Sequence, residues 1–179
     1  MKKIVLAVLS ASVLAGCATH QPLPVQEQVN LDQYMGKWYE QTRLPNRFQK
    51  QCVAEVSAQY ERLNDETISV VNQCVTANGE KTTATALGRV DASQPEPNPA
   101  ILEVRFAPAW LSWWPGVWGD YWIMRVVGDY EYSLVGTPDR KYLWILSRAA
   151  QGDPAIIQDL LEYAAEQGFD IDDVMYTTP

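Results

Sequence analysis

Between residues 36 and 148 the chain is a succession of eight strand-length segments, and that pattern limits its fold more than any other feature. In Val53–Arg62 the residues Ala54, Val56, Ala58 and Tyr60 alternate with Glu55, Ser57, Gln59 and Glu61, the period of a strand with one face buried. Ala100–Phe106 keeps the same rhythm, with Leu102, Val104 and Phe106 opposing Glu103 and Arg105. The other segments are Gly36–Leu44, Thr67–Val75, Glu80–Asp91, Tyr121–Val127, Tyr132–Gly136 and Tyr142–Arg148. Pro45-Asn46, Asn64-Asp65 and Asn78-Gly79 supply turns between them. Short strands joined this way imply an all-β fold, either a sandwich or an up-and-down barrel. One helix follows, with Asp153 as N-cap, Pro154 at its first position and Gly168 at its end. Its apolar face, Ile156, Ile157, Leu160, Leu161 and Ala164, should pack outside the sheet. Ile171–Tyr176 could add a last short strand.

The N-terminus addresses location. Met1-Lys2-Lys3 precedes an uncharged apolar run, Ile4 to Ala15, which is too short for a permanent membrane span and has the length of a secretory signal. Leu14-Ala15-Gly16-Cys17 closes it and resembles a bacterial lipobox, which implies that Cys17 becomes an acylated first residue. Each buried methylene adds about 0.8 kcal/mol, so two or more chains anchor stably. The expected organisation is a signal over 1–16, a lipidated N-terminus and flexible tether over 17–30, and one domain over 31–179. By likeness to enteric sorting, Ala18 after the cysteine favours the outer membrane. The formal charge is −8, and losing Lys2 and Lys3 makes the chain more acidic still, which argues against nucleic-acid binding.

With Cys17 committed to lipid, Cys52 and Cys74 remain as an even pair in an oxidising compartment. They flank two strand-like runs that a hairpin would bring together, so a disulfide is expected. Free buried thiols or a metal pair are the alternatives. A zinc site would lack companions, since His20, the one histidine, lies in the tether.

Three motifs in order carry a family resemblance. Gly36-Lys37-Trp38-Tyr39-Glu40 has the Gly-x-Trp opening of lipocalins. Gly119-Asp120-Tyr121-Trp122 with Asp129-Tyr130-Glu131-Tyr132 resembles that family's second conserved region, and Pro138 to Arg148 resembles its final-strand motif. The chain is similar to the bacterial outer-membrane lipocalins, relatives of plant temperature-induced lipocalins and apolipoprotein D. It departs from many bacterial members in the Cys52/Cys74 pair and the tryptophan-rich stretch at 110–118. The resemblance implies an eight-stranded antiparallel up-and-down barrel with one C-terminal helix outside, wide enough for one small ligand. It also implies that Trp38 closes the barrel floor with Arg148 lying across its ring, as structural residues rather than ligand contacts.

Catalytic groups are scarce. No Gly-x-Ser-x-Gly elbow, phosphate loop or metal-ligand cluster occurs, so no enzyme activity, metal or cofactor is expected. Glu40 alternates with Trp38 and should point inward, to bind a ligand headgroup, to sit protonated beside tyrosines, or to lie satisfied in a polar network. Trp110, Trp113, Trp114 and Trp118 fall in the loop between the fifth and sixth strands, at the barrel's open end in lipocalin connectivity. They could line the mouth or rest on the membrane, fill the barrel, or join two copies as a homodimer. The expected function is a membrane-anchored lipocalin carrying a fatty acid or lysophospholipid. Val56, Ala58, Tyr60, Leu102, Val104, Phe106, Tyr121 and Trp144 are the expected lining, with Glu40 and the four loop tryptophans. A lipocalin enzyme acting on a bound lipid or isoprenoid, and an envelope interaction protein with a filled barrel, are the alternatives.

Overall fold

The computed structural model describes residues 22–108, 111, 114 and 116–179. The expected signal segment, Cys17, Trp110 and Trp113 lie outside the described residues. The strands are β1 (Gly36–Arg43), β2 (Cys52–Arg62), β3 (Ile68–Thr76), β4 (Lys81–Val90), β5 (Ile101–Arg105), β6 (Gly119–Val127), β7 (Tyr132–Gly136) and β8 (Leu143–Ser147). Each pairs antiparallel with its neighbour in sequence, and β8 and β2 both pair with β1, so the sheet closes. The result is an eight-stranded up-and-down barrel, not a sandwich. Closure removes the exposed edges that an open sheet would carry.

Two apolar clusters share the wall. Inward residues from Trp38, Ala58, Val70, Ala86, Leu102, Ile123 and Val135 form the core at one end of the barrel. On the outer face of β6–β8, Met124, Leu134, Leu143 and Ile145 meet Ile157, Leu160, Leu161 and Ala164 of α2 (Pro154–Glu166). Asp153 caps this helix by accepting from the Ala155 amide at 2.8 Å, and Gly168 after it takes the left-handed φ of +90°. A Cβ at Gly136 would lie 2.7 Å from both Met124 Sδ and Phe169 Cζ, so the close seat of the helix segment requires glycine there. The last strand, β9 (Met175–Tyr176), is shorter than expected and pairs with Thr42 and Arg43 of β1.

Residues 22–30 correct the expected tether. Leu23 and Val29 are buried, the Gln26 amide donates to the Ile123 carbonyl at 2.9 Å, and the Gln26 side chain accepts from Val126. This half of the segment is docked on the barrel, because two apolar side chains and a paired glutamine offset the ordering cost. A single helical turn, α1 (Leu31–Tyr34), follows and carries Asn30 as its N-cap.

The floor is sealed at the start of β1. The Arg148 guanidinium lies 3.8 Å from the Trp38 ring centre and donates to the carbonyls of Lys37, Gln33 and Tyr130. Trp38 is fully buried, and its indole N–H donates to the Tyr34 carbonyl at 2.8 Å.

β2 is less regular than its sequence. Its register against β3 shifts between Cys52 and Ala54 and again between Ala54 and Ser57, with Glu55 at a φ of +49°. The strict alternation expected from Ala54 to Tyr60 therefore fails above Ser57, as bulges reverse parity. Cys52 and Cys74 are disulfide-bonded, 22 residues apart, and pack with Val56 beside the bulge.

Two outcomes follow from this architecture. Arg148→Ala should lower unfolding stability by about 2–4 kcal/mol, read as a reduced urea midpoint, because it removes a cation–π contact and three charged hydrogen bonds. Cys52→Ser with Cys74→Ser should cost about 3 kcal/mol through the longer unfolded loop, with a reductant-independent melting temperature in the double variant.

Candidate functional site

Above the floor the barrel is hollow. A cavity of about 650 Å³ runs from Tyr60 and Tyr121 to the open end, where the β1–β2, β5–β6 and β7–β8 loops meet. It persists because the inward wall residues there are small. Ala58 pairs with Asn72, and Asn72 with Ala84, so two alanines flank one asparagine on the lumen face. The bulky residues are concentrated lower, where Trp38, Tyr34, Leu102 and Ile123 fill the barrel.

One wall of the mouth is aromatic. Tyr142 stacks on Trp144 with centroids 6.1 Å apart and planes 16° apart, and Phe48 lies 5.4 Å from Tyr142. The Trp144 indole donates to the Gln49 side chain at 2.9 Å, and Gln49 donates to Glu40 at 2.8 Å. That chain of contacts ties the β1–β2 loop to β8 and fixes one side of the opening.

Glu40 is buried, ion-paired with Arg43, and also receives the Thr177 hydroxyl at 2.6 Å. Arg43 donates further to the Cys52 carbonyl at 3.1 Å. The carboxylate thus sits in a polar network with a buried cation rather than among the tyrosines. Sequence reasoning missed Arg43 because a register shift between Glu40 and Thr42 brings it round, and alternation carries no sign of such a shift.

At the deep end, the Tyr34 hydroxyl pairs with Ser133 Oγ at 2.8 Å and with the Tyr121 hydroxyl at 2.9 Å, which in turn pairs with that of Tyr60 at 3.0 Å. Burial pushes Tyr34 up to about 12 and raises Tyr60 and Tyr121 further, so all three stay neutral phenols at ordinary pH.

Of the residues expected from sequence, Glu40, Val56, Ala58, Tyr60, Val104, Phe106, Trp118, Tyr121 and Trp144 border the cavity. Phe106 does so at the rim, 52% exposed. Leu102 is buried in the core below it. The ring of Trp118 is engaged elsewhere, 3.9 Å from the Arg89 guanidinium and 5.0 Å from that of Arg105. Arg89 and Arg105 alternate with the inward Gly88 and Val104, so this indole covers the outer wall and only the residue's margin reaches the mouth. Trp114 is 55% exposed and stands away from the lining. Val70, Asn72, Ala84 and Tyr142 also line the cavity and were missed. The parity of Ile68, Val70, Asn72 and Cys74 along β3 could have found two of them.

The geometry can be set beside known proteins. The chain is 38% identical over 150 residues to temperature-induced lipocalin-1 of Arabidopsis thaliana, covering 83% of this chain and 78% of that protein. It is 29% identical over 179 residues to the outer membrane lipoprotein Blc of Citrobacter freundii, covering 97% and 94% of the two chains. Insecticyanin from the tobacco hornworm Manduca sexta shares the fold, with a TM-score of 0.67 at 19% identity over 89% of this chain and 85% of that one. The lipocalin-like domain model matches residues 29–179, and together with the closed barrel, its hollow lumen and its tryptophan floor this makes the chain a member of the lipocalin family.

Proposed function

We propose that this protein is an outer-membrane lipoprotein, anchored through Cys17, whose barrel carries a fatty acid or lysophospholipid. The observation that carries the reading is the lumen of about 650 Å³, open at one end and walled by Val56, Ala58, Val70, Val104 and Trp144. That volume lies in the range of small-molecule sites, roughly 300–1,000 Å³. An acyl chain enters between the Phe48 and Phe106 sides of the mouth and lies along the alanine-lined wall. Burying a sixteen-carbon chain supplies roughly 12 kcal/mol gross, of which lost ligand freedom consumes much, leaving micromolar to nanomolar affinity.

The alternatives have less support. A filled barrel has no lumen, and this one is hollow. Thiol chemistry on a bound lipid needs a free cysteine in the barrel, whereas Cys52 and Cys74 are joined. The anchor and the outer-membrane address rest on Leu14-Ala15-Gly16-Cys17 and Ala18, and on similarity to a protein named an outer membrane lipoprotein.

Native mass spectrometry of the domain, made without its anchor and purified gently from the envelope, should show a retained fatty acid or lysophospholipid. Ala84→Trp, which places an indole in the lumen beside Asn72, should abolish retention while preserving the far-ultraviolet spectrum. A wild-type domain that stays bare after incubation with both lipid classes ends the carriage reading. Separately, radiolabelled palmitate should be incorporated by the full chain and not by Cys17→Ser, which should also leave the membrane fraction.

A further inference from the structure

The deep wall of the lumen carries two polar groups that hydrocarbon cannot satisfy. The first is reached by following the hydroxyl chain from its buried end. Ser133 is fully buried, and its Oγ has the Tyr34 hydroxyl as its one hydrogen-bond partner among the described residues. A hydroxyl owns a single proton, and a buried proton with no acceptor is costly. Ser133 must therefore donate to Tyr34, which leaves Tyr34 to donate to Tyr121 and Tyr121 to donate to Tyr60. The unused proton of the chain is that of Tyr60, and Tyr60 lines the cavity.

The second group is Asn72. It shares the lumen face with Ala58 and Ala84, its cross-strand partners, and it lines the same cavity. Its side-chain oxygen is buried and has no hydrogen-bond partner among the described residues. Tyr60 pairs with Val70, so Tyr60 and Asn72 are diagonal neighbours across β2 and β3. Their side chains start about 7 Å apart on the same face of the sheet. Tyr60 offers a donor and Asn72 an acceptor.

We propose that Tyr60 and Asn72 form a subsite for a neutral hydroxyl, so that the preferred ligand is an acyl chain hydroxylated within its hydrocarbon part. A hydroxyl accepts from Tyr60 and donates to Asn72, satisfying both groups at once. A carboxylate would have to shed its water inside a largely apolar lumen, which a neutral hydroxyl does at far lower cost. A plain methylene leaves both protein groups unpaired. The inference rests on the lipid-carrying reading and makes that reading more specific.

The test uses the whole chain carrying Cys17→Ser, titrated by tryptophan fluorescence with stearate and with a series of stearates hydroxylated at single positions along the chain. At least one hydroxystearate should bind about tenfold more tightly than stearate, the worth of one net hydrogen bond in a buried site. In Asn72→Leu, and independently in Tyr60→Phe, the ratio of the two affinities should fall to about one. The subsite is overturned if no hydroxyl position improves on stearate in the unsubstituted barrel, or if the preference persists in both variants. Failure of stearate and of every hydroxystearate to bind overturns the fatty-acid form of the carriage reading, and the subsite with it.

Discussion

The guanidinium of Arg148 over the ring of Trp38 is the contact on which the rest of the molecule depends. Its three hydrogen bonds go to carbonyls from α1, from the start of β1 and from the turn between β6 and β7. One side chain thus joins three parts of the chain, adding to the Trp38–Tyr34 and Asn30–Tyr130 hydrogen bonds between them. The ring beneath it is fully buried and fixed by its own bond to Tyr34, so the end of the barrel is closed by large, immobile groups. That closure lets the upper wall be built from alanine, valine and asparagine without the barrel collapsing. Stability is concentrated at one end, and space is left at the other.

Much of this arrangement is legible in the residues because it depends on local chemistry. Strand limits follow turn residues, α2 begins at its capping aspartate and ends before a glycine with positive φ, and the cysteine pair sits where a hairpin joins it. Trp38 and Arg148 lie in motifs that are recognisable without a structure, and the family assignment agrees with them.

What the residues conceal depends on long-range geometry. The register shifts around Glu55 take Ala54 out of the lining while Val56, Ala58 and Tyr60 keep bordering the lumen, and nothing in the alternating sequence marks the break. Trp118 reads as a mouth residue from its loop, yet two outward arginines hold its ring on the outer wall. Arg43 looks like an ordinary strand-end cation until the register shift beside Glu40 turns it inward. Residues 22–30 look like linker because proline and glutamine dominate them, while Leu23 and Val29 decide where they lie.

Two of the concealed features, the bulge at Glu55 and the inward turn of Arg43, share a place: the seam where β1 meets β2. These strands pair directly only from Gly36 to Tyr39, against Ser57 to Tyr60. Above that point β9 pairs with β1, Thr178 bridges to Ala54 of β2, and the Thr177 hydroxyl reaches the buried Glu40. The wall there is completed by residues more than 110 positions away along the chain. Splitting the two strands leaves backbone groups of β1 and β2 that a regular barrel would pair with each other. The C-terminal segment accepts that role, with Thr177 donating to the Gln41 carbonyl and Glu55 donating to that of Thr178. The bulge, the inward turn of Arg43 and the docked C-terminal strand are therefore one solution to one problem. A strand that separates from its neighbour must find other partners, and the ion pair beneath the seam is buried by the segment that supplies them.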